Sequence, residues 1–326
     1  MRVAIVHDDL VQWGGAERVL EAICASVFDR NNKELVKRFG DRRIVTSFLQ
    51  KIPGWKTLYK ILLPLYPIAF EQFNFDGFDL VISHTTRFAK SIITKPETKH
   101  ICYCHTPPRF LWHLSGEKNY GLGELLLSKL RIFDSISSNR VDYFLAGSKN
   151  AQRRIKKIYK RDSEVLYPFI DLERFKRVEA FDSGYFVAIG RANKYKRLDL
   201  AQRACENLGV ELKIISGGLE DEMVVRILAG CKALIIPGIE DFGLVSLEAQ
   251  ALGKPVIAYR DGGSLETVIN GKTGILFDTQ SEGSLKTAIK KLEEIRINPK
   301  DCQDNAYRFS KEIFIHRLKE LVATIV

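Results

Sequence analysis

Short runs of aliphatic and β-branched residues recur along this chain, each followed by a longer stretch in which apolar positions repeat with helical spacing. The runs lie at residues 3–6, 79–83, 100–103 and 143–146, and again at 185–189, 212–215, 233–236 and 255–258. Short runs of this kind, mostly apolar, mark strands buried on both faces. The helical periods at 15–28, 150–159, 198–208, 243–252 and 284–295 fill the intervals. Strands that alternate with helices predict parallel sheets covered on both sides, an α/β fold. Ligands of such sheets bind at the carboxyl ends of the strands, where loops and helix N-termini meet.

The chain has 326 residues, enough for two cores of ordinary size. Residues 165–171, with Pro168 in the middle, read as the linker between two sets of strands. The expected boundaries are 1–170, 171–304 and a final helix over 305–326 that crosses back to the first domain. No apolar run is long enough to span a membrane, and the start turns polar at His7-Asp8-Asp9, unlike a signal peptide. The expected location is the cytoplasm, with peripheral attachment to the inner face of the cell membrane as an option. Six cysteines show no metal-like or redox spacing and read as buried thiols.

Charge is uneven. Residues 1–170 hold 27 Lys and Arg against 17 Asp and Glu, so the whole surplus of +10 sits there. Solvated helix faces explain this, and so does attraction to an anionic membrane surface or an acidic acceptor. Nucleic acid is not an expected partner, because no aromatic-basic strand or DNA-reading helix accompanies the charge. Residues 48–70 mix Lys51, Lys56 and Lys60 with Trp55, Leu58 and Leu62. They read either as an amphipathic face for anionic lipid or as a core helix with solvated lysines.

Several strand ends carry residues suited to chemistry. Gly14-Gly15-Ala16-Glu17 opens a helix after the first strand, where exposed N–H groups favour an anion; a plain strand-to-helix turn explains it equally. IGRANKYKRLD, 189–199, ends a strand with Arg191 and Lys196, a basic pair suited to a diphosphate. GIEDFGLVSLEA, 238–249, places Glu240 in a loop, Phe242-Gly243-Leu244-Val245 at a helix start, and Glu248 one to two turns into that helix. A phosphate fits between these carboxylates, and each carboxylate accepts two hydrogen bonds from vicinal hydroxyls. The alternative is a helix whose N-terminal acids merely complement its dipole. His105 ends another strand ahead of Pro107-Pro108 and has the position for substrate contact or proton handling. His7 and His84 have similar positions, though packing suffices to explain them. Asp261-Gly262-Gly263 joins a strand to a helix near the same sugar site. No His, Asp or Glu cluster has metal-ligand spacing, and Asp8-Asp9 lacks partners for one.

In order, Gly14-Gly15-Ala16-Glu17, His105-Thr106-Pro107, Gly190-Arg191 with Lys196, and Glu240 eight positions before Glu248 resemble the GT-B glycosyltransferases of family 4. The stretches 65–73 and 101–107 are most similar to a mannosyltransferase branch that builds surface polysaccharides and lipid-linked glycans. The resemblance implies two Rossmann-like domains facing each other across a cleft, with the nucleotide-sugar donor on the second and the acceptor on the first. It implies that Glu248 holds the ribose and Glu240 the donor-sugar hydroxyls. Arg191 and Lys196 would hold the diphosphate. Gly14, Gly15, Phe242 and the backbone of Gly243, Leu244 and Val245 would lie against the phosphates or sugar, with His105 near the reacting centre. Transfer with retention, no cofactor and no essential metal follow from the same resemblance. GDP-mannose stands ahead of UDP-sugars as donor, and a glycan or lipid-linked molecule is the acceptor.

Two segments depart from the family pattern. After Ile215-Ser216-Gly217-Gly218 the usual longer connection, with a strand that helps hold the base, is missing. The segment near 29–40 is similarly short. Rival readings are a nucleotide-sugar epimerase or hydrolase on the same scaffold, which would consume donor with no acceptor, and a non-catalytic sugar-nucleotide-binding protein at a membrane.

Overall fold

The computed structural model describes residues 2–9, 24–25, 31–33, 36–37, 44–58, 61–114, 122–191 and 193–325. The chain divides into two compact units, Met1–Leu166 with Leu321–Val326, and Tyr167–Glu320. The first unit holds seven parallel strands: β1 (Val3–His7), β2 (Cys24–Ala25), β3 (Val45–Thr46), β4 (Leu80–Thr85), β5 (Lys99–Cys104), β6 (Tyr143–Ala146) and β7 (Glu164–Val165). Their spatial order is β3-β2-β1-β4-β5-β6-β7. The second holds β8 (Phe186–Ile189), β9 (Leu212–Ile215), β10 (Ala233–Ile236), β11 (Val256–Tyr259) and β12 (Gly274–Phe277), in the order β12-β11-β10-β8-β9. The α/β expectation is confirmed twice.

The central strands of both sheets are buried on both faces, as their largely apolar runs require. Val187, Leu234, Ile236, Val256 and Ala258 pack on one side with Val225 and Leu228, while Phe186, Ala188, Ala233, Ile235 and Ile257 pack on the other with Leu200 and Leu285. The covering helices in the first unit are α1 (Tyr66–Glu71), α2 (Leu122–Ser137) and α3 (Lys149–Tyr159). In the second they are α4 (Leu198–Leu208), α5 (Asp221–Ala229), α6 (Leu244–Ala251), α7 (Glu282–Glu294) and α8 (Pro299–Tyr307), followed by α9 (Lys311–Ile325). Gly274 faces β11 so closely that a Cβ would lie 1.9 Å from the Val256 carbonyl oxygen, which is why β12 begins on glycine.

Two expectations change. Cys24 and Ala25 pair with β1 and β3 rather than continuing a helix over 15–28; the rest of that helix lies outside the described residues. Residues 48–70 form no continuous amphipathic helix. They break at Pro53-Gly54 and before Pro64, with Gly54 at φ +71°, and Trp55, Leu62, Leu63 and Leu65 pack against the first core. The connection after β9 is as short as the sequence implies. Gly217 and Gly218, both at positive φ, turn the chain from Ile215 into α5 at Asp221, and β9 is an edge strand.

An ion pair anchors the first unit. Lys90 donates to Asp134 on α2, and both side chains are fully buried. The other Asp134 oxygen accepts from Trp112 Nε1 at 2.7 Å and from Tyr159 Oη at 2.9 Å, and the Lys90 ammonium lies 4.9 Å from the Tyr159 ring centre. Burial, and then the Asp134 carboxylate, hold the Tyr159 phenol well above its ordinary value, so it stays a donor. Breaking a buried pair on one side leaves an uncompensated charge. Asp134→Ala is therefore expected to cost about 3–5 kcal/mol in urea denaturation.

His100 is fully hydrogen-bonded as the neutral ring. Its Nδ1 donates to the Arg140 carbonyl at 3.1 Å and its Nε2 accepts from Ser83 Oγ at 2.7 Å. Burial lowers its pKa to about 4. The unfolded chain thus binds a proton that the folded chain refuses, and stability present above about pH 6.5 is lost as pH falls toward about 4. The expected slope from this group is about 1.4 kcal/mol per pH unit; melting His100→Gln alongside the native chain from pH 7 to 4.5 should show a shallower decline.

Candidate active site

In the second unit the loops after β8 and β10 meet. Lys196 Nζ donates to Glu240 Oε1 at 2.5 Å, with each side chain 17% exposed. Two glycines make this meeting possible. A Cβ at Gly190 would lie 3.1 Å from Lys196 Cδ, so the lysine stem runs over bare backbone. At Gly238 it would lie 2.2 Å from the Tyr195 carbonyl oxygen and 2.7 Å from Lys196 Cα. Arg197, directly after Lys196, sits at φ +51°. That left-handed conformation is costly for a residue with a Cβ, and it turns the chain from the Lys194–Lys196 turn into α4. Arg191 is exposed at the end of the same strand.

Glu240 is also tied to the loop after β11. Gly263 N–H donates to the Glu240 carbonyl at 2.9 Å, and a Cβ on Gly263 would fall 2.2 Å from the Phe242 carbonyl oxygen. The Phe242 side chain does not face an open site. It stacks 5.4 Å from Tyr167 and meets Phe309 edge-on at 5.4 Å, so only its backbone remains for a ligand. Gly243 takes φ +98° and starts α6 at Leu244 and Val245 with no side-chain cap. The first N–H groups of that helix point toward the sheet's carboxyl edge, where an anion is favoured.

Glu248, 7% exposed on α6, accepts from Arg174 Nη1 at 3.0 Å. The same guanidinium donates through Nε, at 2.9 Å, and Nη2 to Asp221 at the start of α5. Burial alone would lower the Arg174 pKa, but Glu248 and Asp221 outweigh it and raise it. Sequence reasoning missed Arg174, because nothing local marks a residue 74 positions before its partner. Gly190 and Gly238 were quoted only as neighbours of charged residues; a glycine between a strand and a basic or acidic loop is the signal that finds them.

His105 belongs to the first unit, one residue beyond β5. Its Nε2 lies 2.7 Å from His84 Nε2, and His84 Nδ1 lies 3.0 Å from His7 Nδ1. Asp8, next to His7, is a structural carboxylate: it accepts from the backbone N–H groups of Thr86, Arg87, Phe88 and Ala89 at 2.6–2.9 Å. Gly14 and Gly15 lie outside the described residues. Among the described residues no group of three His, Cys, Asp or Glu side chains is placed to hold a metal ion.

Two family profiles match the chain in succession, "Glycosyltransferase Family 4" over residues 13–174 and "Glycosyl transferases group 1" over 172–309. The chain belongs to the GT-B glycosyltransferases of family 4. It is an enzyme of glycosyl transfer. An uncharacterized glycosyltransferase of Methanocaldococcus jannaschii is 27% identical over 211 residues, 56% of this chain, and the match spans 59% of that relative's length. The alpha-1,3/1,6-mannosyltransferase ALG2 of Dictyostelium discoideum is 24% identical over 418 aligned positions, covering 99% of this chain and 98% of the relative. That alignment is longer than the 326-residue chain, so the relative carries segments this chain lacks. Among solved structures, a sucrose-phosphate synthase of Thermosynechococcus elongatus superposes with TM-score 0.72 over 100% of this chain and 99% of its own, at 16% identity. Anabaena HepE in complex with UDP gives 0.67 over 99% and 100%, also at 16%. These two likenesses establish the fold.

The close approach at Gly238 yields an opposed pair of expectations. Gly238→Ala should destabilise the protein by about 1–3 kcal/mol, since backbone must move. Gly283→Ala, with nothing within 4 Å of its Cβ, lies in the first turn of α7 and should stabilise by about 0.4–1 kcal/mol. Urea denaturation of both checks the sign.

Proposed function

We propose that this glycosyltransferase moves a hexose from a nucleotide-diphosphate sugar to a glycan or lipid-linked acceptor, with GDP-mannose as donor ahead of UDP-sugars. The observation that carries the reading is the junction of the Lys196–Glu240 pair, the Arg174-held Glu248 and the uncapped first turn of α6 on one set of strand ends. A nucleoside diphosphate gains negative charge as it leaves the sugar. Lys196, Arg191 and the α6 N–H groups stabilise that charge in place of a metal ion. Glu240 receives sugar hydroxyls, and Glu248, oriented by Arg174, accepts from the ribose. Retention at the anomeric carbon is part of the same reading.

Mannose is favoured by two kinds of relative. One is the ALG2 mannosyltransferases, and the other is a GDP-mannose-dependent alpha-(1-6)-phosphatidylinositol monomannoside mannosyltransferase of Mycolicibacterium smegmatis, 35% identical over 101 residues, 28% of this chain. A lipid-linked acceptor would place the work on the inner face of the cell membrane, where the basic first half suits an anionic surface. No helix among the described residues is long and apolar enough to cross a membrane.

The test is thermal unfolding with GDP, UDP, ADP or dTDP, without added metal. A nucleotide at a hundred times its dissociation constant should add about 2.7 kcal/mol. The reading expects GDP to give the largest rise and Glu248→Ala to abolish it. A larger rise with UDP moves the donor to UDP-sugars. No rise with any of the four removes the donor assignment.

A further inference from the structure

Three histidines from adjacent strands form a hydrogen-bonded row in the first unit, and its proton positions can be deduced. The register sets His7 of β1 beside His84 of β4, and His84 beside Tyr103 of β5, with His105 two residues beyond Tyr103. His7 Nδ1 lies 3.1 Å from the His84 carbonyl oxygen. A carbonyl only accepts, so His7 carries its proton on Nδ1. His84 Nδ1, 3.0 Å from that same N–H, must then accept. A neutral His84 therefore carries its proton on Nε2 and donates it over 2.7 Å to His105 Nε2. His105, as acceptor at Nε2, is left with its own proton on Nδ1.

The reverse arrangement fails at the first link, because an unprotonated His7 Nδ1 would set two lone pairs against each other at the carbonyl. A charged His84 fails at the second, with two N–H groups face to face. The surroundings agree: burial first, then His105 and His7, hold His84 well below the ordinary imidazole value. Among the described residues, neighbouring groups have partners of their own. Tyr103, whose ring centre is 5.3 Å from that of His84, donates its hydroxyl to the Leu166 carbonyl. Asp8 is taken up by backbone N–H groups, and Asp9 pairs with Arg87. Thr106 accepts from Arg154 of α3. At the other edge of His105, a Cβ on Gly147 would lie 3.3 Å from Nδ1, so glycine keeps a side chain off the protonated nitrogen.

We propose that His84 is a positioning residue that fixes the proton of His105 on Nδ1, so that His105 meets a substrate oxygen as a hydrogen-bond donor and not as a base. The substrate half of this rests on the function proposed above; the tautomer half does not. In water, imidazole side chains favour the opposite tautomer, with the proton on Nε2, so the row imposes a measurable departure.

Long-range proton–nitrogen NMR of the full chain, 15N-labelled at histidine, reads the tautomers at pH 7.5 without any substrate. The expected result is Nδ1–H at His7 and His105 and Nε2–H at His84. In His84→Leu, His105 should revert to Nε2–H. In His84→Gln, whose amide still donates, it should keep Nδ1–H. GDP release from GDP-mannose should then fall about 10-fold or more in kcat for His84→Leu, less than the roughly 100-fold loss of a whole donor, with KM little changed and His84→Gln recovering most of the rate. Nε2–H at His105 in the native chain overturns the proposal, whether or not GDP-mannose is turned over. The expected tautomers with an unchanged kcat in His84→Leu overturn the donor role. If the native chain leaves GDP-mannose untouched while the tautomers are as expected, it is the function proposed above that falls.

Discussion

Parallel pairing constrains everything else in this molecule. A parallel neighbour cannot be reached by a tight turn, so the chain must cross over through a helix lying on a face of the sheet. Every crossing leaves its strand at the same edge. The residues just after β5, β8, β10 and β11 are therefore delivered to the carboxyl edge of their sheet, whatever their spacing in the chain. His105, Gly190, Gly238 and Asp261 all occupy that position. Chemistry collects there because both faces of each sheet are already spent on apolar packing.

Within the second unit the edge is drawn together by the absence of side chains as much as by charge. Gly238 lets the backbone of Tyr195 and Lys196 come within van der Waals reach, and Gly263 does the same for Phe242. Those approaches bring Lys196 to Glu240 and turn Gly243 into the start of α6. Arg174 then joins Glu248 to Asp221, so a carboxylate on a helix is oriented by a residue from the beginning of the unit. The first unit solves a similar problem differently. Lys90, Asp134, Trp112 and Tyr159 satisfy one another in a dry interior, where a partly satisfied network would be worse than none. Asp8 binds the turn after β4, and that turn places Lys90.

The strands at 143–146, 212–215 and 233–236 and the helix at 198–208 were legible to the residue, because buried parallel strands and amphipathic helices carry their own period. β2, β3 and β7 were not, since two residues hold no period at all. Residues 48–70 misled for a related reason. Apolar residues with interspersed lysines fit an amphipathic helix in composition, but Pro53-Gly54 and Pro64 cut the segment into short turns that send Trp55 inward. In the candidate site, Lys196, Glu240 and Glu248 were legible as candidates from residue type and strand position. Their mutual pairing, and the aromatic burial of the Phe242 side chain, were not.

The sequence by itself determined the fold class, the edge at which a ligand must sit, and the glycosyltransferase family, because these depend on local periodicity and on residues grouped in short motifs. Only the tertiary structure decided that Arg174 orients Glu248 across 74 residues, that Gly190 and Gly238 seat Lys196, and that three histidines separated by up to 98 positions share one proton order. Those facts arise from strand register and backbone contact distance. Neither quantity is written in any window of the chain short enough to read alone.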